Sequence, residues 1–432
     1  MHCLADAKEH STSFASFLEM ELNKMNLNAP SVLADQQFTR NDEKLEETTK
    51  SLLIKRYSNS RTSGTSSLLY PFLTLKTTAM LQKLSASSIA LLCFGTSFAQ
   101  STDSTKKTSP PVTITGSVDA YYRYNFNNPK SFPYNSYTSF THSSNSFELG
   151  MASIRADHSF GKVSATVDLG FGTRAEEFSY NDANTRFAVK QLFVTYAPSS
   201  AIKFTLGTWG THVGYEVLDA YLNRNYSMSY MFTNGPFSHT GLKADISLGG
   251  KSALMVGIAN PTDYRSAPAA PKSFIAQFST GSKDDKLKAY FNFVGGKQND
   301  NKKVVQGDIV ATYAASSTFS LGFNATLQSV QLRDSLDSWT TSKWWGAALY
   351  LNFDPVSWFG MTLRGEYIGD DDEYLGFKNV FAPTLSFNFK ADNLTIIPEF
   401  RLDNAGNSVF LKNETETTKS TVSFVLAATY HF

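Results

Sequence analysis

Apolar and polar residues alternate with a period of two in one segment after another between residues 112 and 432. The last segment, 421–432, is the clearest example, because alternate positions form one apolar side: Val422, Phe424, Leu426, Ala428, Tyr430 and Phe432. A period of two with one apolar side predicts a β-strand that is apolar on one face only. We predict sixteen such strands: 112–126, 146–160, 162–173, 186–198, 201–209, 236–249, 251–260, 272–280, 285–296, 303–315, 317–331, 341–354, 358–369, 378–391, 393–404 and 419–432.

The connections between the predicted strands alternate in length. Tight turns rich in Gly, Pro, Asp and Ser take turns with longer polar segments: 127–145, 174–185, 210–235, 261–271, 297–302, 332–340, 370–377 and 405–418. Short turns at one end and long loops at the other are typical of outer-membrane barrels, and a closed sheet has no unpaired edge in lipid. The sequence therefore predicts an all-β fold, a transmembrane up-and-down antiparallel β-barrel of about sixteen strands, with short periplasmic turns and long extracellular loops.

The alternation also assigns a lipid-facing side and a lumen-facing side to each strand. Charged residues of both signs recur on the second side, which favours a wet lumen over the solvated face of a soluble sheet: Asp119, Arg123, Asp168, Lys288, Arg364, Glu366, Glu399 and Arg401. Aromatic residues near strand ends suit the girdles of such barrels, although aromatic enrichment is also ordinary in strands: Tyr121, Tyr122, Tyr124, Trp344, Trp345, Trp358, Tyr430 and Phe432.

The stretch from Met80 has the three parts of a secretory signal peptide. Lys83 is its basic residue, 89–94 the centre of its apolar core, and Ser97-Phe98-Ala99 the small-residue box before a cleavage site between Ala99 and Gln100. The core is too short to favour the alternative of a membrane anchor. We expect translation to start at Met80, the alternative being a disordered leader. The predicted organisation is an upstream extension (1–79), a signal peptide (80–99), a linker (100–111) and a barrel (112–432).

Charge and cysteine content limit the partners of the chain. Its formal net charge is +1, and residues 1–99 carry one more basic than acidic residue, so the predicted mature chain is neutral. This balance gives no electrostatic case for binding nucleic acid. Both cysteines, Cys3 and Cys93, precede the predicted cleavage site, which excludes a disulfide or a cysteine metal site in the mature chain. We expect no metal or other cofactor.

No recognisable catalytic motif is present downstream of the predicted cleavage site. The histidines there lie in neither a Gly-x-Ser-x-Gly nor a His-Glu-x-x-His frame: His142, His158, His212, His239 and His431. The acidic run 370–373 could weakly hold Ca²⁺, but a solvated acidic loop is the favoured interpretation. We predict that the protein is not an enzyme.

The longest gap between predicted strands, 210–235, is the third outward loop. It offers Glu216, Asp219 and Arg224 as opposed charges, with Tyr215 and Tyr226 among its rigid aromatic walls. Opposed charges across a constriction create a transverse field that orders polar solutes. We expect these five residues to form a pore constriction; the alternative is a loop packed on the barrel rim.

Three motifs in and after this loop carry a resemblance to a known family. Gly214-Tyr215-Glu216, Asn223-Arg224-Asn225-Tyr226-Ser227 and His239-Thr240-Gly241 resemble the Bacteroidetes-type β-barrel porins, the OmpL-like β-barrel porin-2 family, and the resemblance covers 112–432. It implies an outer-membrane porin for passive diffusion of small hydrophilic solutes, narrowed by its third extracellular loop. The alternative is a non-conducting structural or adhesive barrel whose loops bind a surface partner.

A second resemblance implies how the chain reaches and occupies the membrane. The segment ending in Tyr430 and Phe432 resembles the closing strand of bacterial outer-membrane barrels, which implies a membrane-insertion signal read by the barrel-assembly machinery. The expected partners are outer-membrane lipid and small polar solutes. A homotrimer is implied by analogy with sixteen-stranded porins.

Overall fold

The computed structural model describes residues 109–182, 186 and 188–432; the predicted extension and signal peptide lie outside them. Sixteen antiparallel strands close into one barrel, which confirms the predicted fold. They are β1 (Thr113–Asn125), β2 (Ser146–Phe160), β3 (Val163–Phe171), β4 (Val189–Ser199), β5 (Ile202–Gly210), β6 (Ser238–Gly249), β7 (Ser252–Ala259), β8 (Ser273–Gly281), β9 (Leu287–Asn299), β10 (Lys302–Ala314), β11 (Phe319–Arg333), β12 (Trp339–Val356), β13 (Phe359–Gly369), β14 (Asn379–Ala391), β15 (Leu394–Ala405) and β18 (Ser420–His431).

The barrel closes where β18 pairs with β1. Their register runs from Ser117 opposite His431 to Asn125 opposite Ser423. Beyond β18, the backbone amide of Gly116 donates to the Phe432 carbonyl and the Phe432 amide donates back to Gly116, both at 2.9 Å. The ladder is thus continuous around the ring, so these backbone groups are satisfied without water.

Eight connections lie at the end of the barrel opposite the tight turns, and we number them L1 to L8: 126–145, 172–188, 211–237, 260–272, 300–301, 334–338, 370–378 and 406–419. The prediction of a longer loop at 297–302 is wrong, because Lys302 pairs with Asn299 and only two residues connect β9 to β10. The polar residues there belong to strand ends. Polar residues indicate contact with water, and both a loop and the end of a long strand make that contact.

Short elements that the alternation did not predict lie inside the connections: α1 (Thr173–Phe178) in L2, a 3₁₀-helix (Ala220–Leu222) and α2 (Tyr230–Thr233) in L3, and a hairpin of β16 (Phe410–Lys412) and β17 (Glu416–Thr418) in L8. Across the described residues, none of the helices has the length and apolar character needed to cross a membrane.

Two of the predicted girdle aromatics face the lumen instead. Tyr121 is 5% exposed and Trp344 is fully buried, whereas the adjacent Trp345 is 44% exposed. Consecutive residues of a strand point to opposite faces. In each of the pairs Tyr121-Tyr122 and Trp344-Trp345, only one ring can therefore reach lipid.

Candidate functional site

L3 (211–237) leaves β5 and descends into the barrel. Its Gly214 amide donates to Asp308 Oδ1 on β10 at 3.0 Å. Further along, the Tyr221 ring stacks on His431 with the ring centroids 4.9 Å apart. Because His431 ends β18, next to the turn side of the barrel, L3 reaches through most of the depth of the lumen.

Two carboxylates of the barrel wall each hold two successive backbone amides of L3. Glu399 on β15 accepts from the amides of 226–227 at 2.7 and 3.1 Å. Glu366 on β13 accepts from the amides of 230–231, both at 2.9 Å. Hydrogen bonds to a charged acceptor are stronger than neutral ones, so these carboxylates fix the loop's path along the wall.

A third carboxylate, Glu216, belongs to L3 itself and pairs with the wall. Its side chain accepts from Arg364 Nη1 at 2.6 Å, from the Tyr350 hydroxyl at 3.1 Å and from the Ser229 amide at 2.7 Å. Arg364 also donates to the Ser227 carbonyl at 2.8 Å. The side chains of Glu216 and Arg364 are 5% and 0% exposed, so water does not screen this ion pair.

The other two charges predicted for the constriction also have partners on the wall. Asp219 accepts from Lys190 Nζ at 2.6 Å, and Arg224 donates to Asp354 Oδ1 at 2.8 Å. Glu216, Asp219 and Arg224 thus each pair with the barrel wall, and the pore constriction that they were expected to form stays a prediction. Each charge compensates a charge on a strand, which a reading of the loop alone could not reveal.

The middle of L3 lies beneath two neighbouring loops. Tyr226 has no exposed surface, and its hydroxyl donates to Asp119 Oδ2 at 2.6 Å. Burial raises the pKa of Tyr226 well above its usual value, so the hydroxyl keeps its proton. The Arg174 guanidinium of α1 lies 4.8 Å from the centre of the Phe140 ring of L1 and 5.0 Å from that of Tyr226. L1, L2 and L3 thus pack into one layer.

L4 joins this layer through a buried carboxylate. Asp263 Oδ1 accepts from the amides of 237–238 at 2.7 and 2.8 Å, and Oδ2 accepts from the Tyr180 hydroxyl at 3.1 Å. Burial raises the pKa of Asp263 to about 6, against the lowering effect of these hydrogen bonds. L4 therefore fastens both L2 and the end of L3.

The predicted lumen-lining residues all occupy inward-facing strand positions, and all but Lys288 are buried: Asp119, Arg123, Asp168, Arg364, Glu366, Glu399 and Arg401. Lys288 lies near the tight turn before β9 and is exposed. In the acidic run of L7, Asp370 turns inward and accepts from the amides of Leu375 and Phe377. Asp370 therefore stabilises the backbone conformation of L7.

The sequence analysis did not identify several charged residues that point into the lumen. Lys190 shares the alternation of the outward-facing Leu192, but a register shift between β3 and β4 turns it inward, 3.2 Å from Asp168. Asp354 is the last residue of the predicted strand 341–354 and lies on β12, but nothing in the sequence assigned it to the lumen. The sequence alone does not distinguish an aspartate that forms an ion pair in the lumen from an aspartate in a turn, because Asp is common in both places.

A cavity of about 290 Å³ lies between L3 and the wall formed by β1 to β4. Arg155, Asp168 and Lys190 line its wall, and Asp219 and Tyr221 of L3 line the opposite side. The surface that L3 presents here therefore combines paired charges with an aromatic ring.

Comparison with known proteins gives one family and a common fold. The family model described as "Putative beta-barrel porin-2, OmpL-like" matches residues 111–432. The outer membrane channel DcaP of Acinetobacter baumannii is similar at 13% identity and a TM-score of 0.54, over 76% of this chain and 98% of that chain. The loop L8 deletion mutant of OmpT, an outer membrane protein of Vibrio cholerae, is similar at 9% identity and a TM-score of 0.50, over 74% and 99%. No curated protein matches.

Proposed function

We propose that this chain, which belongs to the OmpL-like β-barrel porin-2 family, lets small hydrophilic solutes diffuse passively through its lumen. Family membership gives an outer-membrane porin in the bacterial outer membrane, and a channel rather than an enzyme. Lipid then surrounds the barrel, and small solutes are what pass. The class of solute, the constriction, a homotrimeric assembly and insertion through Tyr430 and Phe432 belong to the proposal.

One observation carries the proposal: L3 lies inside the barrel and is fastened there by buried hydrogen bonds and an ion pair. Glu366 and Arg364 on β13 and Glu399 on β15 hold it against one side of the barrel wall. Truncating one member of a buried pair is costly, so a loop held in this way keeps its position while solutes pass. L3 then sets the width of the lumen.

Within the constriction, the five predicted residues have two kinds of role. Glu216 and Tyr226 are buried and position the loop against the wall. Tyr215, Asp219 and Arg224 keep part of their surface exposed, and they are the residues of this set that contact solutes. Paired charges that remain partly wet favour polar solutes over apolar ones.

Conductance of the protein, purified from outer membranes and added to a planar lipid bilayer, tests the proposal. We expect stepwise openings with current that grows in proportion to salt concentration. The same preparation must show the heat-dependent gel shift of a folded barrel. A folded barrel that never conducts would refute the proposal.

The alternative, a non-conducting barrel whose loops bind a surface partner, has one observation in its favour. Residues 225–232 of L3 are buried, and L1 and L2 cover them, so this side of the lumen is filled. That function would be supported by a folded barrel that does not conduct in the bilayer and that still does not conduct after the residues that hold L3 are substituted.

A further inference from the structure

We propose that the periplasmic half of the lumen prefers small anions, such as carboxylates and phosphate esters, although the chain as a whole is nearly neutral. The inference rests on the proposed porin function and names its solute class. It follows from how the charges inside the barrel are shared, since total charge says little about a local field.

The first cluster lies on β5 and β6. Asp245 is within 3.4 Å of two ammonium groups, Lys203 at Oδ2 and Lys243 at Oδ1. The three side chains are 51%, 19% and 31% exposed for Lys203, Lys243 and Asp245. One carboxylate shared by two cations leaves a surplus positive charge in contact with water.

The second cluster repeats this arrangement on the other side of the barrel. Asp354 on β12 is 2.8 Å from Arg224 of L3 and 3.1 Å from Lys390 on β14. All three side chains are about one-third exposed. Again one carboxylate serves two cations, and here L3 itself supplies one of them.

The two clusters face each other. In the ring of sixteen strands, β6 and β14 are eight positions apart, which is half the circumference. Lys203 and Lys390 each lie one residue inside the strand end that meets a tight turn, so both clusters are at the periplasmic end. A solute that enters or leaves there passes between two positive surfaces.

One further lysine at this depth adds to the positive charge, and one ion pair adds no net charge. Lys288, near the start of β9, has no carboxylate within ion-pair distance among the residues that the structure describes. Arg155 and Asp157 neutralise each other through two hydrogen bonds.

A cluster of opposite sign partly offsets this surplus. Lys190 lies between Asp168 and Asp219, and its side chain is 3% exposed. The sum stays positive, because that cluster contributes one negative charge, whereas the two cationic clusters contribute one positive charge each.

Two measurements test the inference, both on the full chain with Cys3→Ser and Cys93→Ser, purified from outer membranes. The first is the reversal potential of the channel in a KCl gradient. A unit charge about 7 Å away in water changes the local concentration of an ion about threefold. We expect an anion-over-cation permeability ratio of about three or more in 0.1 M salt, falling towards one in 1 M salt as the screening length drops from about 10 to 3 Å.

The double change Lys203→Gln with Lys390→Gln should lower that ratio at least threefold, by the same estimate. The matched control is Lys297→Gln, an exposed lysine near the opposite end of β9. A ratio that does not respond to the double change, or that falls equally in the control, would overturn the inference.

The second measurement does not need conduction. Thr312 is opposite Lys288 in the register of β9 and β10, so Thr312→Cys places a single thiol in the periplasmic half of the lumen. We compare its modification rates by a sulfonate and by a trimethylammonium methanethiosulfonate, each relative to a free thiol. The anionic reagent should be favoured about threefold, and Lys288→Gln should remove most of that preference.

The outcomes separate the two proposals. A folded barrel that does not conduct in the bilayer but reacts faster with the anionic reagent refutes the porin function and supports the anion preference of the periplasmic half of the lumen. A conducting barrel with equal rates for both reagents and no anion selectivity supports the porin function and refutes the anion preference.

Discussion

Glu216→Gln is the change that tests most directly how L3 is held. The substitution keeps the shape of the side chain but removes the charge that faces Arg364 at 2.6 Å, in a place where both side chains are almost fully buried. Breaking a buried ion pair costs about 3–5 kcal/mol, because the remaining charge is left uncompensated. Arg364 keeps its bond to the Ser227 carbonyl, so we expect the lower end, about 3 kcal/mol.

This free energy should appear as local opening of L3. At about 1.4 kcal/mol per factor of ten, the open form of the loop becomes about 100-fold more populated. Hydrogen exchange, followed by mass spectrometry on the folded barrel, should show a matching loss of protection at the amides of Tyr230 and Met231. Glu414→Gln, on the exposed L8 hairpin, is the control and should leave protection unchanged. Equal protection in Glu216→Gln and the native protein would refute the view that this pair holds the loop.

Three further changes probe separate contacts. Tyr226→Phe removes the hydroxyl that donates to Asp119 at 2.6 Å, so the temperature at which the barrel loses its gel shift should fall, in line with a loss of about 1–3 kcal/mol. Burial lowers the pKa of His212 from 6.5 to about 4, so its stabilising contribution is complete above pH 6.5 and is lost as pH falls from 6.5 to 4. Exchange at the base of L3 should accelerate over that range, and less steeply in His212→Gln, where the neighbouring His239 remains. Phe432→Ala should reduce the fraction of folded barrel in the membrane more than Phe323→Ala, if the last residues act as an insertion signal; equal effects would contradict that role.

Much of the fold was readable from sequence because each strand must satisfy lipid on one side. Val422 and Leu426 face outward and Thr421 and Ser423 face inward, as the period of two requires. The number of strands followed from the same repetition. The period fails where a bulge inserts a residue, as at Lys190, since one extra residue reverses every facing that precedes it.

The site was less predictable, because its contacts join residues that are far apart in sequence. Nothing local to Glu216 indicates Arg364, which lies 148 residues away. The tyrosines of L3 were recognisable, but whether a ring lines the pore or is buried depends on the loops above it. Phe140 of L1 and Arg174 of L2 decide that for Tyr226, and neither belongs to a motif.

The pairing of β1 with β18 has a consequence for how the molecule assembles. Val118 meets Tyr430 across this seam, so the contact that completes the cylinder joins opposite ends of the described barrel. Pairings of such long range form slowly, because the intervening chain must first be ordered. Until β18 is in place, β1 and β15 both present open hydrogen-bonding edges, which lipid does not tolerate and which another strand can occupy. Any cell that makes this protein therefore has to protect these two unpaired strand edges until β18 pairs with β1 and β15.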